Sequence, residues 1–281
     1  MNENSYVHFK HPNPHAPAVI FLAGFVNGAD FWDFALPIFQ PHCNVVLFNN
    51  PGINKAPTSG VYNLGGFAIQ AADVMERLGY GRYAAIGISM GSWVAQELMR
   101  HAPERLTCAV LMSTNTGRGH MRAHDLPYFA TMVGQDWESY NRLLKQDPLR
   151  WMAALFGRRF VLGQPEAYAA YAQKRSAVMN NVGMPTYVLH SVHAGAFDSA
   201  SWAHKLTTPT LIYNGTEDPL TTCVGAEKLA KAMPNATYHA LLGVGHYPPL
   251  EDPTVLPQSL AFVQRHAEAA PMPQPVPEVV A

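Results

Sequence analysis

The sequence predicts an α/β fold: a mostly parallel central sheet flanked by helices, with a helical cap insert. Three observations predict it. Short continuous apolar runs alternate with helical patterns, as strands buried on both faces do. The run Gly87-Ile88-Ser89-Met90-Gly91 stands where one such strand passes into a helix. And 281 residues with 48% hydrophobic and 14% charged side chains can bury a sizeable core under a lightly charged surface.

The elements follow in order. Ala18-Val19-Ile20-Phe21-Leu22 is an apolar strand stopped by Ala23-Gly24, and residues 31–39 suit a short helix. Asn44-Val45-Val46-Leu47-Phe48-Asn49 is the next strand, broken by Pro51-Gly52. Residues 64–78 have helical periodicity and end at Gly79. Tyr83-Ala84-Ala85-Ile86 is the strand before Ser89, and the helix after it carries Trp93, Val94 and Leu98 near one face. Leu106-Thr107-Cys108-Ala109-Val110-Leu111-Met112 is another buried strand. Thr210-Leu211-Ile212-Tyr213-Asn214 and Thr237-Tyr238-His239-Ala240-Leu241-Leu242 are two more, with a helix over 225–233 between them. Residues 253–266 suit a closing helix.

The alternation is interrupted over 117–205, which reads as helices rich in aromatics such as Tyr128, Phe129, Trp137, Trp151, Phe156 and Tyr187. The expected organisation is therefore a core of 1–116 and 206–266, a helical cap over 117–205, and a disordered tail over 267–281. That tail carries Pro271, Pro273, Pro275 and Pro277. Most of the aromatics are expected to build the insert's own core, and the rest an apolar underside over the carboxyl edge of the sheet. Ligand sites of such sheets lie beyond that edge.

Composition excludes several classes. The net charge is -1 and no basic block appears, so no nucleic-acid partner is expected. No apolar run approaches a membrane span. Met1-Asn2-Glu3-Asn4-Ser5 lacks the basic and apolar regions of a signal peptide. Cys43, Cys108 and Cys223 are odd in number and widely spaced, which argues against a disulfide framework and fits a reducing, cytoplasmic setting.

The chemistry centres on Ser89. Three fixed positions of this kind match by chance roughly 0.1 times in a chain this long. A serine on a sharp strand-to-helix turn has its hydroxyl held clear of the sheet, and small residues on either side let the two backbones approach. A serine hydroxyl needs a base, usually a histidine oriented by a buried carboxylate. Among 13 histidines, His246 lies in a glycine-rich loop straight after the last strand, on the same carboxyl edge as Ser89. Asp218 also follows a strand, in Asn214-Gly215-Thr216-Glu217-Asp218-Pro219, with Glu217 as the rival acid.

On these residues the chain resembles the α/β-hydrolase fold family, whose order of serine, acid and histidine it shares as Ser89, Asp218, His246. Ala102-Pro103-Glu104-Arg105 and Leu250-Glu251-Asp252-Pro253 resemble the small cap-bearing subgroup, which includes enol-lactonases, carboxylesterases and carbon–carbon bond hydrolases. The resemblance implies an oxyanion hole from the backbone N–H groups of Met90 and Phe25. Trp93, Asn50, Tyr128 and Trp151 are the expected pocket residues, and no metal or cofactor is called for. Three departures stand out. Ala23-Gly24 replaces the family's His-Gly, which removes a supporting hydrogen bond from the oxyanion loop. Asn49-Asn50-Pro51-Gly52-Ile53-Asn54-Lys55-Ala56 replaces a loop that commonly opens with aspartate. Few residues precede Val19, leaving room for about one edge strand. Some members place the acid after the strand ending near Ser113, but Asn115 stands there, which favours Asp218.

Two close histidine pairs, His120 with His124 and His190 with His193, raise metal binding as a competing chemistry, but neither has an obvious third ligand. The leading expectation is a serine hydrolase of an ester, thioester or lactone of a small to medium apolar molecule. Acyl transfer, lyase or carbon–carbon cleavage by the same triad, and a non-enzymatic ligand receptor, stay open, as does the oligomeric state.

Overall fold

The computed structural model describes residues 3–117, 137–179 and 181–268. Seven strands form one sheet: β1 (Tyr6–Phe9), β2 (Ala18–Leu22), β3 (Asn44–Phe48), β4 (Tyr83–Ile88), β5 (Leu106–Met112), β6 (Thr210–Gly215) and β7 (Ala236–Leu241). Their spatial order is β1-β3-β2-β4-β5-β6-β7. All neighbours are parallel except β1 with β3, so the short segment before Val19 supplies one antiparallel edge strand.

Every residue of β2, β3 and β4 is buried. Alternation assigns their side chains to two cores. Val19, Phe21, Val45, Leu47 and Ile86 face one side, with Phe39 of α1 (Leu36–Phe39) and Val263 of the closing helix. Ile20, Leu22, Val46, Phe48 and Ala85 face the other, beneath Phe67 of α2 (Leu64–Arg77) and Leu98 of α3 (Met90–His101). Each large apolar side chain so buried contributes about 1.5–3 kcal/mol. Asn63 caps α2 by accepting from the Gly66 N–H at 3.1 Å. The helix expected over 31–39 divides into a 3₁₀ turn, Ala29–Ala35, and α1, because Pro37 tolerates only a first-turn position. β7 is an edge strand, so none of its residues is fully buried, and Leu242 beyond it is 85% exposed.

From β2 the chain steps to β3 on one side and then to β4 on the other. The carboxyl ends of β2 and β4 therefore flank a crevice where the strand order reverses. The described part of 117–205 is helical, as expected: α4 (Trp137–Gln146), α5 (Pro148–Ala153), α6 (Arg158–Gly163), α7 (Pro165–Met179) and α8 (Met184–Ala196). It is tied to the 3₁₀ turn Ala29–Ala35 by Arg175, whose Nη1 lies 2.6 Å from Asp30 Oδ2. A bridge between Gly117 and Asp198 closes its neck. After it come α9 (Cys223–Ala232), α10 (Pro248–Glu251) and α11 (Val255–Glu268). No helix among the described residues is long and apolar enough to cross a membrane.

Candidate active site

Ser89 joins β4 to α3 at φ 53°, ψ −126°, outside the regions an L-residue prefers. Such a backbone costs about 1–3 kcal/mol and persists only where neighbours over-determine it. Two glycines make that possible. A Cβ on Gly87 would lie 2.3 Å from the Gly91 carbonyl oxygen, and one on Gly91 would lie 2.1 Å from that of Leu22. The Ser89 N–H donates to the Met112 carbonyl at 2.9 Å, and Ser92 Oγ donates to the Ser89 carbonyl at 2.6 Å.

His246 is 3% exposed and Asp218 6%. His246 Nδ1 lies 3.0 and 2.9 Å from the two carboxylate oxygens of Asp218. Asp218 also accepts from the Leu220 and Thr221 N–H groups at 2.8 and 3.0 Å and from the Thr221 hydroxyl at 2.5 Å. Burial opposes its charge, but the facing imidazole and these donors outweigh burial and hold its pKa below the ordinary carboxylate value. Glu217 is exposed and turns elsewhere, accepting from the Arg158 N–H at 2.9 Å. The His246 loop is pinned from both sides. Glu251 accepts from the Gly245, Tyr247 and Gly157 N–H groups, the His246 N–H donates to the Leu155 carbonyl at 2.6 Å, and Ser113 Oγ donates to the His246 carbonyl at 2.9 Å.

Ser89 and His246 open on one small cavity, about 50 Å³, together with Gly24 and Phe25 of the turn after β2. Its walls are mostly apolar: Phe31, Trp151, Leu155, Leu220 and Tyr247. Met90 begins α3, so its N–H is one of the first-turn donors that no helical carbonyl can reach.

Comparison with known proteins agrees with this architecture. The family model described as the alpha/beta hydrolase fold matches residues 17–253. The chain belongs to the α/β-hydrolase fold family. It is 26% identical over 262 residues to a poly(3-hydroxyalkanoate) depolymerase from Ectopseudomonas oleovorans, covering 92% of this chain and 88% of that protein. It superposes on the enol-lactonase from Burkholderia xenovorans with a TM-score of 0.77 at 17% identity, covering 92% and 95% of the two chains. A thermophilic esterase from Thermogutta terrifontis gives 0.74 at 18% identity, covering 94% and 93%.

Of the pocket residues expected for this α/β-hydrolase, Trp151 lines the cavity and Tyr128 lies outside the described residues, as do His120 and His124. Trp93 and Asn50 do not line it. Trp93 turns to the neck of the insertion and stacks on Phe197 with ring centroids 5.3 Å apart. Asn50 is fully buried behind the turn after β2, and its amide nitrogen donates to the Ala23, Gly24 and Asn27 carbonyls at 3.0, 3.1 and 2.9 Å. His190 is no half of a metal pair. Its Nε2 donates to the Pro51 carbonyl at 2.9 Å and its Nδ1 accepts from the Val26 N–H at 3.0 Å, so both ring nitrogens are engaged. The sequence holds one faint signal for these two contacts. The turn lacks its customary histidine and the following loop lacks its customary aspartate, so other side chains must support that backbone.

Proposed function

We propose that this hydrolase cleaves an ester, thioester or lactone of a small to medium, largely apolar molecule through an acyl-enzyme on Ser89. The observation that carries the reading is the pairing of Ser89, on its strained turn, with His246 on one cavity, backed by the Asp218 carboxylate at 2.9 Å from Nδ1. With Nδ1 so engaged, Nε2 is the nitrogen left to take the serine proton as the hydroxyl attacks the carbonyl. Asp218 holds the imidazole in that tautomer and stabilises the imidazolium. The N–H groups of Met90 and Phe25 receive the oxyanion, and His246 returns its proton to the leaving group. A water then attacks the acyl-enzyme by the same route in reverse.

The described helices of the insertion, from Trp137 to Ala196, act as the cap in this reading. The insertion contributes Trp151 and Leu155 to the cavity wall, and its Leu155 carbonyl holds the His246 backbone. No lysine or arginine lines the cavity among the described residues, which supports an uncharged acyl group. The enol-lactonase, esterase and depolymerase relatives support ester and lactone chemistry. The test is turnover of a panel of p-nitrophenyl esters, thioesters and lactones by wild type and by Ser89→Ala. Folded Ser89→Ala is expected to lose at least about a thousandfold in kcat. Retention of a tenth of the activity would assign the chemistry to another group.

A further inference from the structure

Four hydrogen bonds converge on two peptide planes of the turn after β2. The Gly24 carbonyl accepts from Asn50 Nδ2 at 3.1 Å and from the Asn27 N–H at 3.2 Å. The Phe25 carbonyl accepts from Asn27 Nδ2 at 2.8 Å, and the Val26 N–H donates to His190 Nδ1 at 3.0 Å. In a trans peptide the N–H points opposite to the C=O. Fixing the Gly24 carbonyl toward Asn50 therefore turns the Phe25 N–H away from Asn50. Val26 itself sits at φ 49°, a left-handed conformation that a β-branched residue rarely adopts. Relaxing it means rotating the Phe25–Val26 peptide. The His190 acceptor opposes that rotation, since only with Nδ1 in place does the Val26 N–H have a buried partner.

We infer that Asn50 and His190 are positioning residues that lock the turn after β2 so that the Phe25 N–H faces the cavity. The inference rests on the serine-hydrolase reading above. Neither side chain lines the cavity; both act through backbone. Both tautomer and amide orientation follow from the partners. The Pro51, Ala23, Gly24 and Asn27 carbonyls can only accept, so Nε2 of His190 and Nδ2 of Asn50 must donate. His190 belongs to α8, so the insertion completes the oxyanion loop of the core. A side chain 164 residues further along the chain thus holds the backbone of this turn.

Two substitutions separate positioning from packing. His190→Asn keeps an acceptor where Nδ1 stands, while His190→Gln reaches Pro51 and offers Val26 nothing. His190→Gln is expected to lose on the order of 10²-fold in kcat on a p-nitrophenyl ester, with KM within about twofold. Its affinity for a trifluoromethyl ketone analogue of the tetrahedral intermediate should fall in the same proportion. His190→Asn should recover at least about a tenth of the wild-type kcat. Equal losses in the two variants, or a loss confined to KM, overturns the inference. If either variant unfolds, ¹⁵N spectra of the wild-type histidines decide: a neutral His190 with hydrogen on Nε2 supports it, and hydrogen on Nδ1 at neutral pH overturns it. A fluorophosphonate keeps the two readings apart. Failure to label wild-type Ser89 defeats the serine mechanism, whereas wild-type labelling rates in His190→Gln defeat only the positioning role.

Discussion

Asp218 and Glu217 are adjacent carboxylates with opposite surroundings, and the difference is measurable. Asp218 faces the imidazole with three further contacts to Leu220 and Thr221, while Glu217 is exposed and bound to the Arg158 N–H. Asp218→Asn is expected to lower kcat on the order of 10³–10⁴-fold, because an amide neither stabilises the imidazolium nor selects its tautomer. Glu217→Gln should stay within about threefold, since it keeps an acceptor for Arg158. Comparing the two turnover numbers checks this, and the reverse ranking would reassign the acid. That Ser89 and His246 meet on one cavity, with Asp218 against the imidazole, was legible in the sequence because each follows a strand at the carboxyl edge of the sheet. The contacts of Asn50, expected in the pocket, and of His190, expected beside His193, were not. Their partners lie 23 to 27 and 139 to 164 residues away, and no local pattern encodes a contact made by tertiary packing. Trp93 misled for a related reason: closeness to Ser89 in sequence does not decide which side of α3 faces the cavity.

Among the elements, the junction of β2, β4 and α3 tolerates least. Gly91→Ala puts a methyl 2.1 Å from the Leu22 carbonyl oxygen, against backbone that cannot swing aside. A loss of about 1–3 kcal/mol is expected, read as a lower denaturant midpoint with an unchanged m-value. The contact between α8 and the turn after β2 carries a pH dependence. Burial lowers the His190 pKa to about 4, with the Pro51 hydrogen bond opposing and nearby His193 assisting. The unfolded value is about 6.5, so the unfolded chain binds more protons between those limits. Stability from this group is therefore full above about pH 6.5 and is lost as pH falls toward 4, by up to about 3 kcal/mol. Urea midpoints at pH 7 and 4.5 should drop further for wild type than for His190→Asn. An equal drop would remove His190 as the source. The strands and long helices were legible to within one or two residues because their apolar periodicity is strong. The division at Pro37 was missed because a short helical pattern does not show which turns are 3₁₀.

At the scale of the whole molecule, sheet and insertion share one site. Arg175 ties α7 to the 3₁₀ turn Ala29–Ala35, Leu155 and Gly157 tie the segment between α5 and α6 to the His246 loop, and His190 ties α8 to the backbone of Val26. Insertion aromatics also meet the core directly, with Phe156 4.8 Å from Tyr247 and Tyr187 5.5 Å from Phe25 between ring centroids. The sequence showed a helical, aromatic insert but not its seating, which depends on these long-range pairs. An apolar cavity gains about 0.8 kcal/mol for each methylene it buries, or about fourfold in kcat/KM. Along a series of unbranched acyl esters, efficiency should climb over the first members and then fall as the small cavity fills. Acyl groups carrying a second carboxylate should be poor substrates, and kinetics on matched neutral and dicarboxylic monoesters check this. Preference for the charged series would place a cation, such as Lys55 or an insertion arginine, at the acyl end. The proposed mechanism stands or falls on acylation of Ser89. Its most direct measurement is mass-spectrometric mapping of the protein after reaction with a fluorophosphonate. One adduct is expected, on the peptide containing Ser89, absent from Ser89→Ala and slowed in Asp218→Asn. An unmodified Ser89 in active protein, or an adduct on another residue that tracks the loss of activity, would contradict it.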